Sequence, residues 1–319
     1  MMRRAAILLA GIALIVGAAD AQQLRLWSDT ISPEAKAALA AEATRPPAGP
    51  TPEAQRAPID AVQRDLGGRR LARYRVTMKE DVVAGVPVRI FSPPGKAKEG
   101  AVLMNLHGGG FVTDAGSITE NVAIAALTGY RVVAVRYRLA PEHPFPAALD
   151  DALAVYRALL KQGRIGLYGT SAGAILSAEL VARLRAEHLP QPAALGFFSG
   201  SADLGAMGDS VSLFADPAAL AAVTSAYLGG TDPAAPALSP ARGDLKGWPA
   251  TLCVASTRDF LLSATAAFCR KLDAAGVDAR LVVFDGLPHA FWAYIDAPES
   301  DEAMAAMARF LSARLEGGK

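Results

Sequence analysis

From Gly100 onward, short apolar runs alternate with longer stretches in which apolar residues recur every three or four positions. The runs cover residues 102–106, 132–135, 165–168, 194–198, 252–255 and 281–284. Their apolarity is continuous, which predicts strands covered on both faces and hence a mainly parallel sheet flanked by helices. Between them lie helical patterns such as 148–160, and the series Ala174, Ile175, Leu176, Ala178, Leu180, Val181 and Leu184. Upstream, Arg73 to Met78 and Val86 to Phe91 alternate or branch as strands do, with Gly85 between them, and predict an antiparallel hairpin. Residues 203–230 break the rhythm and read as a helical insertion over the carboxyl ends of the strands, where such sheets place their chemistry.

The amino-terminal stretch has a different character. Arg3 and Arg4 precede an apolar run from Ala5 to Ala19, too short for a comfortable membrane span, and Ala19-Asp20-Ala21 is a small-x-small site. Residues 1–21 therefore read as a signal peptide cleaved after Ala21, giving a periplasmic or secreted protein; an uncleaved anchor is the other reading. Residues 22–70 are expected to form a helical cap arm, with Ser32-Pro33-Glu34 starting a helix and Pro46, Pro47, Pro50 and Pro52 interrupting it. Residues 71–319 then form the main domain, with arm and insertion roofing its site.

Charge narrows the partners. With 32 basic and 31 acidic residues and no block of one sign, the chain carries no electrostatic footprint for nucleic acid or anionic lipid, so a small molecule is the expected partner. Once processed, stable membrane association is not expected. Cys253 in an apolar run and Cys269 on an expected helix suit burial as small hydrophobes; an exported protein also permits a bridge, and the sequence leaves that choice open. Neither their spacing nor their neighbours suggest a metal site.

Candidate chemistry centres on Gly169-Thr170-Ser171-Ala172-Gly173, set between the run ending at Tyr168 and a helical pattern. Strand, tight turn and helix form the context in which a serine hydroxyl is thrown clear of a sheet, which makes Ser171 the candidate nucleophile. After the run at 102–106 comes His107-Gly108-Gly109-Gly110-Phe111, where glycines let backbone N–H groups face a developing oxyanion. No Walker-type Lys-Ser/Thr follows, and the pattern is not a dinucleotide fingerprint. The base and its orienting carboxylate should come later, each after a strand. His289 follows the run 281–284, and Asp259 follows the run containing Cys253; Asp285, the competing acid, ends the histidine's own strand and would have difficulty turning to the ring. His107 belongs to the glycine loop, His143 sits between prolines and His188 ends a helical pattern.

Taken together, His107-Gly-Gly-Gly110, the segment Tyr137 to Ala147, Gly169-Thr-Ser-Ala-Gly173, Asp259 and His289 resemble the hormone-sensitive-lipase-like bacterial esterases of the α/β-hydrolase superfamily. Thr170, where many members carry aspartate, resembles the branch named for its Gly-Thr-Ser-Ala-Gly elbow; Ala174 and Ser263 also depart from the common pattern. The likeness spans about Arg70 to Leu315. It implies an α/β-hydrolase fold with an eight-stranded, mostly parallel sheet whose second strand is antiparallel, flanking helices and a helical cap. It also implies oxyanion donors at the amides of Gly109, Gly110 and Ala172, with His107 and Gly108 supporting the loop. The activity implied is hydrolysis of short- to medium-chain carboxylic esters by Ser171, His289 and Asp259 without a cofactor. A lactone, thioester or amide substrate, or a non-catalytic ligand-binding relative, are the alternatives. A homodimer paired through the exposed last strand near Leu281 is a further expectation.

Overall fold

The computed structural model describes residues 30–44 and 51–317, so the expected signal peptide lies outside the described residues. Eight strands form one sheet: β1 (Thr77–Val83), β2 (Val86–Ser92), β3 (Ala101–Leu106), β4 (Val132–Val135), β5 (Arg164–Thr170), β6 (Ala194–Phe198), β7 (Thr251–Arg258) and β8 (Ala279–Pro288). Their spatial order is β1-β2-β4-β3-β5-β6-β7-β8. Only β2 runs against its neighbours, β1 and β4; the remaining pairs are parallel.

Every residue of β3 is buried, and its side chains divide by the two-residue period of a strand. Val102, Met104 and Leu106 join a core with α4 (Ala147–Leu159), α5 (Ala172–Ala186) and α8 (Leu262–Ala274). Ala101 and Leu103 join a second core on the other face, with α1 (Pro33–Ala43), α3 (Thr119–Thr128) and α9 (Pro298–Glu316). The apolar rhythm of the central strands anticipates these three layers, and the arrangement is the α/β-hydrolase fold that the family resemblance implies.

Three local expectations are corrected. Pro52 does not interrupt the arm; it occupies the first turn of α2 (Pro52–Tyr74), with the Thr51 side chain capping the Ala54 N–H, because proline lacks only an amide that the first turn leaves unpaired anyway. That helix runs through the expected boundary at residue 70, so Arg73 and Tyr74 end it instead of opening the hairpin, and both bond to Asp301. The turn is closed by Arg75 in the left-handed region. The run 281–284 is not covered on both faces either: β8 is an edge strand, and Leu281 and Val283 are 39% and 42% exposed.

The insertion after β6 supplies α6 (Ser210–Phe214) and α7 (Pro217–Leu228). A reciprocal pair of bonds, Ser210 N–H to Ser263 Oγ and Ser263 N–H to Ser210 Oγ, pins it to the first turn of α8. Cys253 and Cys269 meet as buried, unbridged thiols.

Candidate active site

β5 ends at Thr170 and α5 begins at Ala172, leaving Ser171 alone at the turn with φ 57° and ψ −122°. The strained geometry survives because the positions two residues to either side, Gly169 and Gly173, carry no side chains. A Cβ at Gly169 would lie 2.3 Å from the Gly173 carbonyl oxygen, and one at Gly173 would lie 1.8 Å from that of Leu106. The Ser171 amide is held by the Phe198 carbonyl at 2.9 Å, tying the turn to the end of β6.

The structure brings the three sequence-derived side chains into one chain of hydrogen bonds. Ser171 Oγ lies 2.9 Å from His289 Nε2, and His289 Nδ1 lies 2.6 Å from Asp259 Oδ1. Both later residues come from the far ends of β7 and β8, which pair beyond the body of the sheet through a register shift between Ser256 and Arg258. Asp259 is fully buried, and its carboxylate also accepts from the Leu261 amide and the Ser199 hydroxyl, so it has no freedom to turn from the ring. The Phe260 ring packs against the imidazole at 4.1 Å between centroids, and Tyr294 donates to the His289 carbonyl. Asp285 accepts from Thr257 at the surface.

The glycine loop lies against this group. A Cβ on Gly108 would sit 3.4 Å from Ser171 Cβ, and Gly109 holds φ 123° with the Thr113 carbonyl oxygen 1.9 Å from where its Cβ would be. The Gly109 carbonyl is taken by the amides of Val112 and Thr113. Among the described residues, no protein acceptor takes the N–H groups of Gly109, Gly110 or Ala172. Three amides beside a serine hydroxyl can receive an oxygen on which charge develops. His107 does not reach the serine: its ring stacks on Tyr137, its Nδ1–H donates to the Gly108 carbonyl, and Tyr137 donates to the His107 carbonyl. Burial lowers the His107 pKa, with Asp114 opposing, so the ring supports the loop as a neutral donor.

A pocket of about 40 Å³ opens from Ser171. Gly110, Phe111, Ala172 and Ile175 form its floor, and Leu204, Met207, Leu220, Val223 and Tyr227 of the insertion close it from above. No described residue of the amino-terminal helices lines it, so the expected roof comes from the insertion. The helix α2 acts elsewhere. Arg70 donates to the carbonyls of Thr119, Trp292 and Ile295, and Gln63 accepts from the amides of Ile118 and Thr119.

Several supporting residues escape sequence reasoning. Ser199 had a signal in principle, a polar residue closing a buried strand. Arg70 and the buried set Asn105, Glu120, Asn121 and Tyr168 beneath the turn had none, since their partners are distant in the chain. Burial pushes the Glu120 carboxyl up to about 8, against hydrogen bonds from Asn105 and Thr170. Among the described residues, no group of three or more His, Cys, Asp or Glu side chains could hold a metal ion.

A serine, an imidazole and a carboxylate in series at the carboxyl edge of this sheet define the class: an α/β hydrolase with a covalent-nucleophile site. A family model described as the alpha/beta hydrolase fold matches residues 103–293. An acetyl-hydrolase of Streptomyces hygroscopicus is 36% identical over 231 residues, 67% of this chain and 76% of its own length. An esterase of Acinetobacter venetianus is 31% identical over 245 residues, 70% of this chain and 80% of that one. The crystal structure of an esterase from the bacterial hormone-sensitive lipase family superposes with a TM-score of 0.78 at 31% identity, covering 89% of this chain and 99% of that one. The chain belongs to the hormone-sensitive-lipase family of bacterial esterases.

Proposed function

We propose that the protein is a serine carboxylesterase that cleaves short-acyl esters through an acyl-enzyme. His289 takes the Ser171 proton as Oγ bonds to the ester carbonyl carbon. The amides of Gly109, Gly110 and Ala172 receive the oxyanion, each worth about 2.7–4 kcal/mol in the transition state. Collapse breaks the bond to the alkoxide oxygen, which leaves as alcohol with the proton from His289. Water then repeats the sequence and frees the acid. Asp259 holds the ring in the tautomer with its proton on Nδ1 and stabilises the imidazolium.

The observation that carries this reading is the unbroken series Ser171 Oγ, His289, Asp259 beside unpaired amides. The apolar pocket of about 40 Å³ favours a short acyl group, and the acetyl-hydrolase among the relatives is consistent with it. The test is hydrolysis of p-nitrophenyl esters graded by acyl length. Acetate and butyrate should be turned over faster than decanoate; Ser171→Ala should abolish turnover, and Asp259→Asn should lower kcat roughly 10⁴-fold. Unchanged rates in folded Ser171→Ala protein would refute the assignment.

Two further parts of the reading concern location and assembly. The Arg3-Arg4 start, the apolar run and Ala19-Asp20-Ala21 support export with cleavage after Ala21. The open edge of β8, with Leu281 and Val283 exposed, supports a homodimer in which two such edges pair.

A further inference from the structure

Two cavities lie on opposite sides of one pair of side chains. The acyl pocket of about 40 Å³ reaches from Ser171 past Ile175 to Tyr227. A larger cavity of about 350 Å³ lies beyond it, reached by Glu179 and Ala182 of α5 and given apolar walls by Phe145, Leu149 and Trp248. No described residue lines both. Ile175 and Glu179 stand four positions apart on α5, about 6 Å along its axis, so successive turns of one helix serve the two spaces.

What separates them is Tyr227 and the groups that hold it. Tyr227 is 1% exposed; its ring stacks on Phe111 of the acyl pocket at 3.4 Å between centroids, and the Phe145 ring on the cavity side meets it edge-on at 6.0 Å. Its hydroxyl donates to Glu179 Oε2 at 2.6 Å. The Phe145 amide donates to the Tyr227 carbonyl at 2.7 Å, which fixes the end of α7 against the cavity wall. An acyl chain growing away from Ser171 therefore meets a tyrosine held at its ring face, its hydroxyl and its backbone. Filling this space with a buried carboxyl costs the fold more than an apolar side chain would. A hydrogen bond supplies what apolar packing lacks, a fixed direction, and so sets the ring at one depth.

We propose that Tyr227, latched by Glu179, is the specificity-determining end-stop of the acyl pocket, and that the pair keeps the larger cavity out of reach of long acyl chains. The proposal rests on the esterase reading in taking the occupant to be an acyl chain. An octanoyl group, four methylenes longer than a butyryl group, needs the space behind the pair.

The test compares p-nitrophenyl octanoate with the butyrate. In Tyr227→Ala/Glu179→Ala the octanoate-to-butyrate ratio of kcat/KM should rise at least about thirtyfold over wild type, since one accommodated methylene is worth roughly tenfold or more. Ala182→Phe narrows the cavity alone. It should leave the wild-type ratio within about twofold and remove most of the gain when added to the alanine pair. Octanoate titrated into Ser171→Ala protein by calorimetry supplies a readout without turnover, and its affinity should rise at least about tenfold when the alanine pair is added. If wild type cleaves neither ester while octanoate affinity rises, the esterase reading falls and the end-stop stands. If Ser171-dependent cleavage persists with ratio and affinity unmoved, the end-stop is overturned and the esterase reading stands. An unmoved affinity by itself, or a gain that Ala182→Phe does not reverse, also overturns the end-stop. Should the alanine pair lack a cooperative melting transition, Tyr227→Leu/Glu179→Ala, which deletes less buried volume, carries the same comparison.

Discussion

A methyl group at Gly173 would lie 1.8 Å from the Leu106 carbonyl oxygen and one at Gly108 would lie 3.0 Å from that of Thr170, so the glycine loop and the serine turn touch backbone to backbone. Beneath them, Glu120 is a buried carboxyl whose environment holds its pKa near 8, compared with an ordinary value of 4.5. The sign of its linkage follows. Between those two values the unfolded chain has released a proton that the folded protein keeps, so this group's contribution is full below about 4.5 and is lost as pH rises toward about 8. The limiting slope is about 1.4 kcal/mol per pH unit. Glu120→Gln is nearly isosteric and cannot ionise. Thermal melting of wild type should therefore fall with pH from 5 to 8 relative to the variant, and parallel curves would show the carboxyl ionised throughout. The identity of Ser171, His289 and Asp259 as neighbours could be read from chain order and turn chemistry. Glu120 could not, because its place under the turn follows from α3 packing on β3 and β5.

Among the elements, α2 and β8 carry the most information beyond the sheet itself. α2 is a 23-residue helix whose Arg70 is buried and bonded only to backbone carbonyls on α3 and on the segment following His289. Burial lowers its pKa, opposed by Asp296 and Asp301. An arginine fork is suited to this task, since its donors diverge in a plane and can bind three carbonyls at once. β8 delivers His289 at one end and is the last strand of the sheet among the described residues, with apolar Leu281 and Val283 exposed beside that edge. A lysine there opposes pairing by charge. If the proposed dimer forms across this edge, Leu281→Lys should shift the mass in light scattering from two chains to one, with esterase activity per site retained. A wild-type protein that is monomeric at micromolar concentration would remove the dimer from the reading.

For the molecule as a whole, near-equal basic and acidic content leaves no long-range field to gather a charged partner, in keeping with a neutral ester entering an apolar pocket. Among the described residues, no helix is long and apolar enough to cross a membrane. The export proposal therefore rests on residues 1–21 and predicts that protein recovered from the periplasm of an expressing bacterium begins at Gln22. Recovery with Met1 intact in the membrane fraction would favour the anchor. The sheet places both ends of its functional series on one edge: β3, β5, β7 and β8 are parallel, so the glycine loop, the serine, the acid and the histidine all emerge on the same side.

What the amino-acid sequence determined unaided is the part governed by short-range stereochemistry. The central strands, the helix after Ser171 and the glycine-flanked turn follow from periodicity and backbone allowance within a few residues, and the chain order known for a serine elbow then points to Asp259 and His289. The doubly covered strands also imply the layers. Tertiary packing alone decided the rest. Pro52 opens a helix where the proline-rich composition suggested interruption, the Leu281 and Val283 side chains are exposed despite their apolar run, and the insertion lines the pocket with no described residue of the arm beside it. The partners of Arg70 lie up to 225 positions away, and Ser199 meets Asp259 across 60. Contacts at such separations depend on which faces of the sheet the helices cover, and no local pattern records that.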